Sequence, residues 1–374
     1  MCIEIWDFNL TSLFLRKTTY ISSSSLSSLA WKRFRKDKLG FGSLIFIALV
    51  FLVALLGYLI TPDPTPFAND QCLEMGLKKP GYAAEFILVP KETPAERSNF
   101  LHHMIWGQKS RDNAYPVIDG FVDIYGQDGS YTRISPGEYL STHQDGRLVS
   151  RRYWLGTDRF GRDILSMLVI GARISLSVGF ISVFISLILG ILIGSIGGYF
   201  RGWIDNVIVW FINVVWSIPT LLLVIAITFA LGKGFWQVFI AVGLTMWVEV
   251  ARVVRGQILS LREKEFVEAG KALGFSSFRI VTRHLLPNVM GVVIVISAAN
   301  FASAILIEAG LSFLGLGVQP PVPSWGSMIK ENYGYIILDY AYLAIMTGVA
   351  IMLLVLAFML IGNALRDALD VKFL

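Results

Sequence analysis

The sequence predicts an all-α polytopic membrane protein with six transmembrane helices, and three observations predict it. Only 16% of the 374 residues are charged while 55% are hydrophobic, with a mean hydropathy of +0.62; soluble domains carry roughly a quarter charged residues. Six apolar runs approach the ~20 residues that cross ~30 Å of hydrocarbon as a helix. The Lys and Arg behind the net charge of +5 stand beside these runs rather than in one domain, which fits membrane topology and argues against nucleic acid as a partner. Four His and two Cys, all scattered, exclude a zinc cluster and a disulfide framework.

In chain order, residues 1–38 read as a cytoplasmic leader and basic collar. Met1 to Thr19 lacks the apolar core of a signal peptide, Ser22 to Ser28 is a polar run, and the first thirty residues read as loosely ordered. Trp31 to Lys38 is the collar, expected on the cytoplasmic side. The first span covers 39–60 (Leu39 to Ile60). Thr61-Pro62-Asp63-Pro64-Thr65-Pro66 follows without a small-x-small cleavage site, so the span reads as a retained anchor.

Residues 61–172 are expected outside. Up to Arg152 this segment is polar and rich in Tyr, Asp and Gly. Its Asp128-Gly129 and Asp145-Gly146 pairs, set among β-prone runs such as Val122 to Tyr125 and Tyr131 to Ile134, predict β-hairpins. So long a segment is either a cap that meets a soluble partner or an insertion that only shields the mouth. Trp154 to Asp163 suits a tight turn and a cap, after which Ile164 to Arg173 is expected as a short amphipathic helix on the outer interface.

The remaining spans form a core over 173–374: Ile174 to Tyr199, Val207 to Leu231, Phe235 to Val248 with an extension to Val254 that puts Glu249 and Arg252 near the interface, Val289 to Phe313, and Ala341 to Gly362. Alternation from a cytoplasmic collar puts the basic segment 252–287 and the tail from Asn363 in the cytoplasm, so both termini are expected there. Cys2 and Cys72 then lie on opposite sides and cannot pair within one chain. The first, second, third and sixth spans hold no ionisable residue. The fifth holds only Glu308 near its outer end, either a gate at the mouth or a solvated interfacial carboxylate. A proton-coupled carrier would bury ionisable groups, so the energy is expected from another chain. Gly190, Gly194 and Gly198, four apart, form a seam for close helix packing, and Pro219 is expected to kink the third span.

The loop 252–287 is the most informative segment. Leu261 to Leu273 reads as a helix with Phe266, Gly270 and Leu273 on one face, broken at Gly274. Ser276 or Ser277 then caps a second helix reaching Leu286, and Pro287 suits the first turn of the fifth span. Ala269 and Gly270 offer a small-residue packing face, so the loop reads as a knob for docking in a groove. His284, with no Cys, Asp or second His near it in sequence, reads as a packing residue rather than a metal ligand. A phosphate loop is lacking: Gly270-Lys271 is followed by Ala272, and Glu265 stands where the first Gly belongs. Nor is there a nucleophile, base and metal set for an enzyme. On the residues alone, a channel or secondary carrier with a regulator docked on this loop stays open beside an energy-coupled permease.

Glu268-Ala269-Gly270, Gly274 and Leu286-Pro287 resemble the loop of ABC importer permeases, Glu-Ala-Ala-x3-Gly-x9-Ile-x-Leu-Pro, with Gly270 and His284 departing from it. Trp154 to Asp163, Ser312 to Gly317 with Pro320 to Trp325, and Gly362 to Asp370 resemble the peptide/nickel branch, in particular its dipeptide and oligopeptide "C"-type subunits, where His284-Leu285-Leu286-Pro287-Asn288 is common. The resemblance covers about Trp31 to Asp370, excluding most of the outer segment. It implies the type I importer permease fold in a bacterial plasma membrane, with a second homologous permease, two ABC ATPase subunits and an extracytoplasmic substrate-binding protein as partners. ATP and Mg would bind the ATPases and no cofactor this chain. Coupling is implied at Phe266, Glu268, Ala269, Gly270, Leu273, Gly274, His284, Leu286 and Pro287. Peptides are the implied cargo, with nickel complexes or other small solutes as the alternative.

Overall fold

The computed structural model describes residues 26–91, 99–110, 112–125, 131–142, 146–232 and 234–369. Met1 to Ser25, with Cys2, lie outside the described residues. The chain forms an all-α bundle with a small antiparallel sheet at one end. α1 (Leu26–Lys36) carries the basic collar as a helix: Trp31 stacks on Phe34 at 5.8 Å, and Phe34 is buried against Ala364 and Ala368 near the C-terminus. The loosely ordered stretch expected to reach residue 30 therefore gives way to helix at Leu26. Asp37 starts α2 (Lys38–Leu55), its carboxylate accepting from Leu39 N at 3.0 Å and Gly40 N at 3.2 Å. With α3 (Gly57–Ile60) it makes the expected anchor, and Leu39, Ile45, Leu49, Phe51 and Leu52 are exposed, as a lipid-facing helix requires.

The sheet region comprises β1 (Tyr82–Pro90), α4 (Phe100–Trp106), β2 (Asp112–Ile118), β3 (Phe121–Tyr125), β4 (Tyr131–Ile134), α5 (Pro136–Thr142) and β5 (Arg147–Tyr153). All neighbours pair antiparallel in the order β4-β3-β2-β1-β5. Alternation along central β1 buries Phe86 against Met75 and Tyr153 on one face, and Ile87 against Val122 and Tyr139 on the other. The hairpin expected around Asp128-Gly129 is the β3–β4 pair, closing at Tyr125 opposite Tyr131, with the dipeptide itself outside the described residues. The Asp145-Gly146 pair does not join two neighbouring strands: α5 precedes it and β5 pairs with β1, and Asp145 itself lies outside the described residues. The tightest hairpin is one that sequence reading passed over, Asp119-Gly120 with φ of 51° and 79°, joining Ile118 to its partner Phe121. Positive φ at both central residues is the primed turn that right-twisted strands favour.

The sheet region docks through the Thr157 to Asp163 loop. Asp158 accepts from Phe160 N and Arg162 N at 2.9 Å and from Arg162 Nε at 2.7 Å, while Arg162 Nη2 reaches Glu331 across the bundle at 2.5 Å. Gly161 (φ 74°) has no room for a Cβ, which would fall on the Cys72 carbonyl.

Asp163 then caps α6 (Ile164–Phe200), accepting from Ser166 N at 2.8 Å. The structure corrects the expected interfacial helix: Ile164 to Arg173 is the start of one 37-residue helix, and the boundary expected at 172/173 lies inside it. Its Ile164, Met167 and Ile170 are enclosed by Tyr58, Trp325 and Met328 rather than laid on a surface, and nothing between Arg173 and Ile174 stops the helix.

α7 (Gly202–Trp216) and α8 (Thr220–Leu231) meet at 92°. Pro219 therefore breaks the third span rather than kinking it. It lacks an N–H and forces Ile218 out of helical geometry, so Ser217 to Pro219 form a corner. The rest is α9 (Phe235–Arg262), α10 (Glu265–Ala272), α11 (Ser277–Arg279), α12 (Leu286–Phe313), α13 (Trp325–Asn332) and α14 (Tyr342–Leu369). Five helical rods among the described residues (α2, α6, α9, the run Ser277–Phe313, and α14) are long and apolar enough to cross a membrane, and the α7–α8 pair counts as a sixth if the bent pair is one span rather than a re-entrant loop.

The most extensive helix–helix contact among the described residues is α6 on α9. A Cβ on Gly190 would fall on Val250, one on Gly194 would lie 2.5 Å from the Ala251 carbonyl oxygen, and one on Gly198 2.9 Å from the Arg255 carbonyl oxygen. The expected glycine seam is thus a backbone-to-backbone contact. Gly194→Leu must separate the two helices, an overpacking cost of about 1–3 kcal/mol or more. It is expected to lower the thermal midpoint of the detergent-solubilised chain by several degrees and cut its monodisperse yield in size-exclusion chromatography.

Cys72 is half-buried beside Glu74, and burial first, then that carboxylate, push its thiol up to about 12. At pH 8 almost no thiolate exists. Alkylation by iodoacetamide is expected to be very slow there and to rise about tenfold per pH unit up to pH 10, since the thiolate is the nucleophile. Rapid complete labelling at pH 8 would contradict this.

Candidate functional site: the loop between α9 and α12

α9 ends at Arg262 and a two-residue turn starts α10 at Glu265, so the expected helix over 261–273 is two pieces. At the far end of α10, Gly274 takes φ 73°, and Phe275 N and Gly274 N donate to the carbonyls of Gly270 (3.0 Å) and Lys271 (2.9 Å). This is the glycine-terminated helix end the sequence announced. Ser276 caps α11, its hydroxyl accepting from Arg279 N at 3.4 Å.

The chain does not pause at Pro287. A π turn, Ile280–Leu285, joins α11 to α12, and 277–313 is one rod with Pro287 in the first turn of α12. Pro287 brings no N–H and a ring that crowds the carbonyl four residues back; the wider π turn just before it relieves both.

The face expected to unite Phe266, Gly270 and Leu273 is divided. Gly270 and Val267 point inward, toward Ile280 and Leu285 of the π turn and Ile258 near the end of α9. Phe266, Glu268, Ala269, Leu273, Gly274 and Phe278 are exposed, with Leu273 72% and Phe278 78% open. Leu273 leaves the face because the helix ends at Ala272. His284 stacks on Phe275 at 5.8 Å and Arg279 lies 4.2 Å over the same ring, so His284 packs, as expected. Leu286 is half-buried and Pro287 exposed. Among the described residues no group of three or more His, Cys, Asp or Glu could hold a metal.

The mount beneath the loop was missed by sequence reading. Asp205 of α7 accepts a two-pronged contact from Arg255 of α9, Nε to Oδ1 at 2.5 Å and Nη2 to Oδ2 at 2.7 Å. Arg201 meets Glu263 at 2.5 Å and Arg262 lies 5.6 Å from the Tyr199 ring centre. The available signal was an Asp in the first turn of α7 with an unmatched Arg on the next helix. Glu308 is also corrected: it is fully buried, Oε1 accepting from Ser312 Oγ at 2.6 Å and Oε2 without a partner, so it is neither a mouth residue nor a solvated one.

Residues 164–373, more than half of the chain, match the family model described as the binding-protein-dependent transport system inner membrane component. The chain belongs to that family. It is a multi-pass permease subunit of an ABC importer. Residues 25–80 match the model described as the N-terminal TM domain of oligopeptide transport permease C, and neither match includes the sheet of 81–163. Among relatives, the dipeptide transport system permease protein DppC of Alkalihalophilus pseudofirmus is 42% identical over 241 residues, 64% of this chain and 79% of that protein. The glutathione transport system permease protein GsiD of Escherichia coli is 41% identical over 223 residues, 60% and 73% respectively. A solved structure of the inward-facing MetNI methionine ABC transporter is similar at 20% identity and a TM-score of 0.46, covering 54% of this chain and 96% of that one.

Asp205→Asn removes the charge that holds Arg255, with a cost of about 1.5–3 kcal/mol for a hydrogen bond to a charged group. A lower unfolding midpoint, recovered when Arg255→Leu is added, is the expected result in a thermal series of the three variants, because the double change leaves no stranded guanidinium.

Proposed function

We propose that this chain is one of two permeases lining the pathway of a bacterial peptide importer, with cytoplasmic ATPase subunits docked on the loop 252–287. The observation that carries the reading is the loop's construction: a short helix, α10, seated by Val267 and Gly270 with Phe266 outward, a glycine turn that exposes Leu273, and then a rod from Ser277, with Phe278 exposed, that runs through the π turn to Phe313. Exposed apolar side chains on a packed mount suit a partner groove, and Val267, buried in one cluster with Ile280 and Leu285, links a displacement of α10 to the rod. ATP and Mg belong to the ATPases in this reading, and this chain converts their closure into a change of facing through contacts that differ between two states. The basic loop and α1 collar support a reading in which the loop end and both termini are cytoplasmic and the sheet lies outside, where a substrate-binding protein would deliver cargo.

Peptides are favoured as cargo because the relatives at 42% and 41% identity are named for dipeptide and glutathione transport, and glutathione is a tripeptide. Neither name supports nickel.

The coupling assignment is tested in proteoliposomes holding the whole assembly. A Cβ at residue 274 would meet nothing within 4 Å, so Gly274→Val acts through its left-handed backbone alone, at about 1–3 kcal/mol. Gly274→Val and Glu268→Lys are each expected to cut uptake tenfold or more while ATP hydrolysis persists and membrane insertion is unchanged. Normal uptake by both would sink the assignment.

A further inference from the structure

α9 carries one carboxylate within its apolar length. Glu249 stands about 21 Å along the helix from Phe235 at 1.5 Å per residue. Its side chain is exposed and makes no hydrogen bond or ion pair among the described residues. Arg252, nearly a turn further on, makes no ion pair with it: its guanidinium lies 3.4 Å from the centre of the ring of Trp216, which borders the same space as Glu249. A bare carboxylate inside a span is tolerated where it faces water and not where it faces acyl chains. Glu249 lines a cavity of about 310 Å³ in the elbow between α7 and α8, closed by α9 and α12. Thr220, at the start of α8, and Ser303, on α12, bring two more side chains without hydrogen bonds to the same space, between apolar walls that include Met246 and Leu306. A concave, mostly apolar space with a few convergent polar groups is the form of a small-ligand site.

We propose that this elbow cavity is a station on the translocation path where Glu249 holds a protonated amine of the passing peptide, with the Thr220 and Ser303 hydroxyls as auxiliary acceptors. The ligand is an organic cation rather than a metal, because one carboxylate and two hydroxyls fall short of the six or more oxygens that a hard divalent ion collects. The amine is either the peptide's α-ammonium or a lysine side chain. The inference rests on the peptide-import reading above.

The test has two parts. Glu249→Cys, in a chain with Cys2 and Cys72 changed to Ser, is exposed to a membrane-impermeant methanethiosulfonate in the nucleotide-free assembly; labelling is expected, and its absence would put residue 249 against lipid or protein and overturn the proposal. Uptake of Ala-Lys-Ala, Ala-Asp-Ala and Ala-Ala-Ala is then measured in proteoliposomes for wild type, Glu249→Gln and Glu249→Asp. A fall of fivefold or more for Glu249→Gln with Ala-Lys-Ala relative to Ala-Asp-Ala assigns the lysine side chain as ligand. An equal fall for all three peptides that Glu249→Asp restores assigns the α-ammonium. An equal fall that Glu249→Asp does not restore, or no change, overturns the proposal. Absence of uptake of all three peptides by the wild type would instead overturn the peptide reading, and this inference with it.

Discussion

The backbone contact between α6 and α9 positions everything that follows it. Lipid supplies no hydrophobic force between apolar helices, so their association rests on close van der Waals contact, and only small residues allow backbones to approach. Gly190, Gly194 and Gly198 provide that on one side of α6. Gly179, about three turns nearer the start of α6, makes room for the Phe301 ring of α12, 2.8 Å from where a Cβ would lie. One helix thus fixes two neighbours at once. With α9 seated on α6, Arg255 comes opposite Asp205, which ties α7 to the same pair. The end of α9 and the start of the rod at Ser277 then converge on one buried cluster, Val254, Ile258, Val267, Ile280 and Leu285.

That cluster explains why a loop outside the apolar spans can be rigid. Val267 and Gly270 give α10 an inner face, and the π turn lets the chain pass Pro287 without a hinge. A flexible tether at either place would absorb motion. The broken span behaves differently: α7 and α8 meet at a corner of three residues and leave an open elbow. On the reading proposed here, force enters at the stiff junction and the space for cargo lies at the bent one.

Periodic, local features were legible in the sequence, and long-range ones were not. Apolar length announced the spans, Gly274 the helix end, four-residue glycine spacing the seam, and Asp128-Gly129 a hairpin. Asp119-Gly120 obeys the same rule. The start of α6 was read as a surface helix because a sequence shows an apolar face but not its cover, here Tyr58, Trp325 and Met328 from three distant segments. Gly270 and Leu273 were assigned one face because the periodicity was carried a residue past the end of α10. The Asp205–Arg255 pair joins residues fifty apart, and no spacing rule reaches that far.

The two acids within the spans make the limit plain, since their local sequences do not tell them apart. Glu308 is enclosed: Ser312 Oγ donates to it, Ser324 Oγ lies 3.2 Å from Ser312 Oγ, and Ser324 in turn caps α13 with Ser327. A carboxyl so placed ties α12 to α13 and has no route to exchange partners with a solute, since it is fully buried. Glu249 has neither cover nor partner, and the one guanidinium near it in sequence lies over the Trp216 ring without pairing with it. Burial and pairing separate a structural acid from one free to meet cargo. Both properties come from the way α7, α8, α9 and α12 are arranged around an elbow, which no stretch of sequence contains by itself.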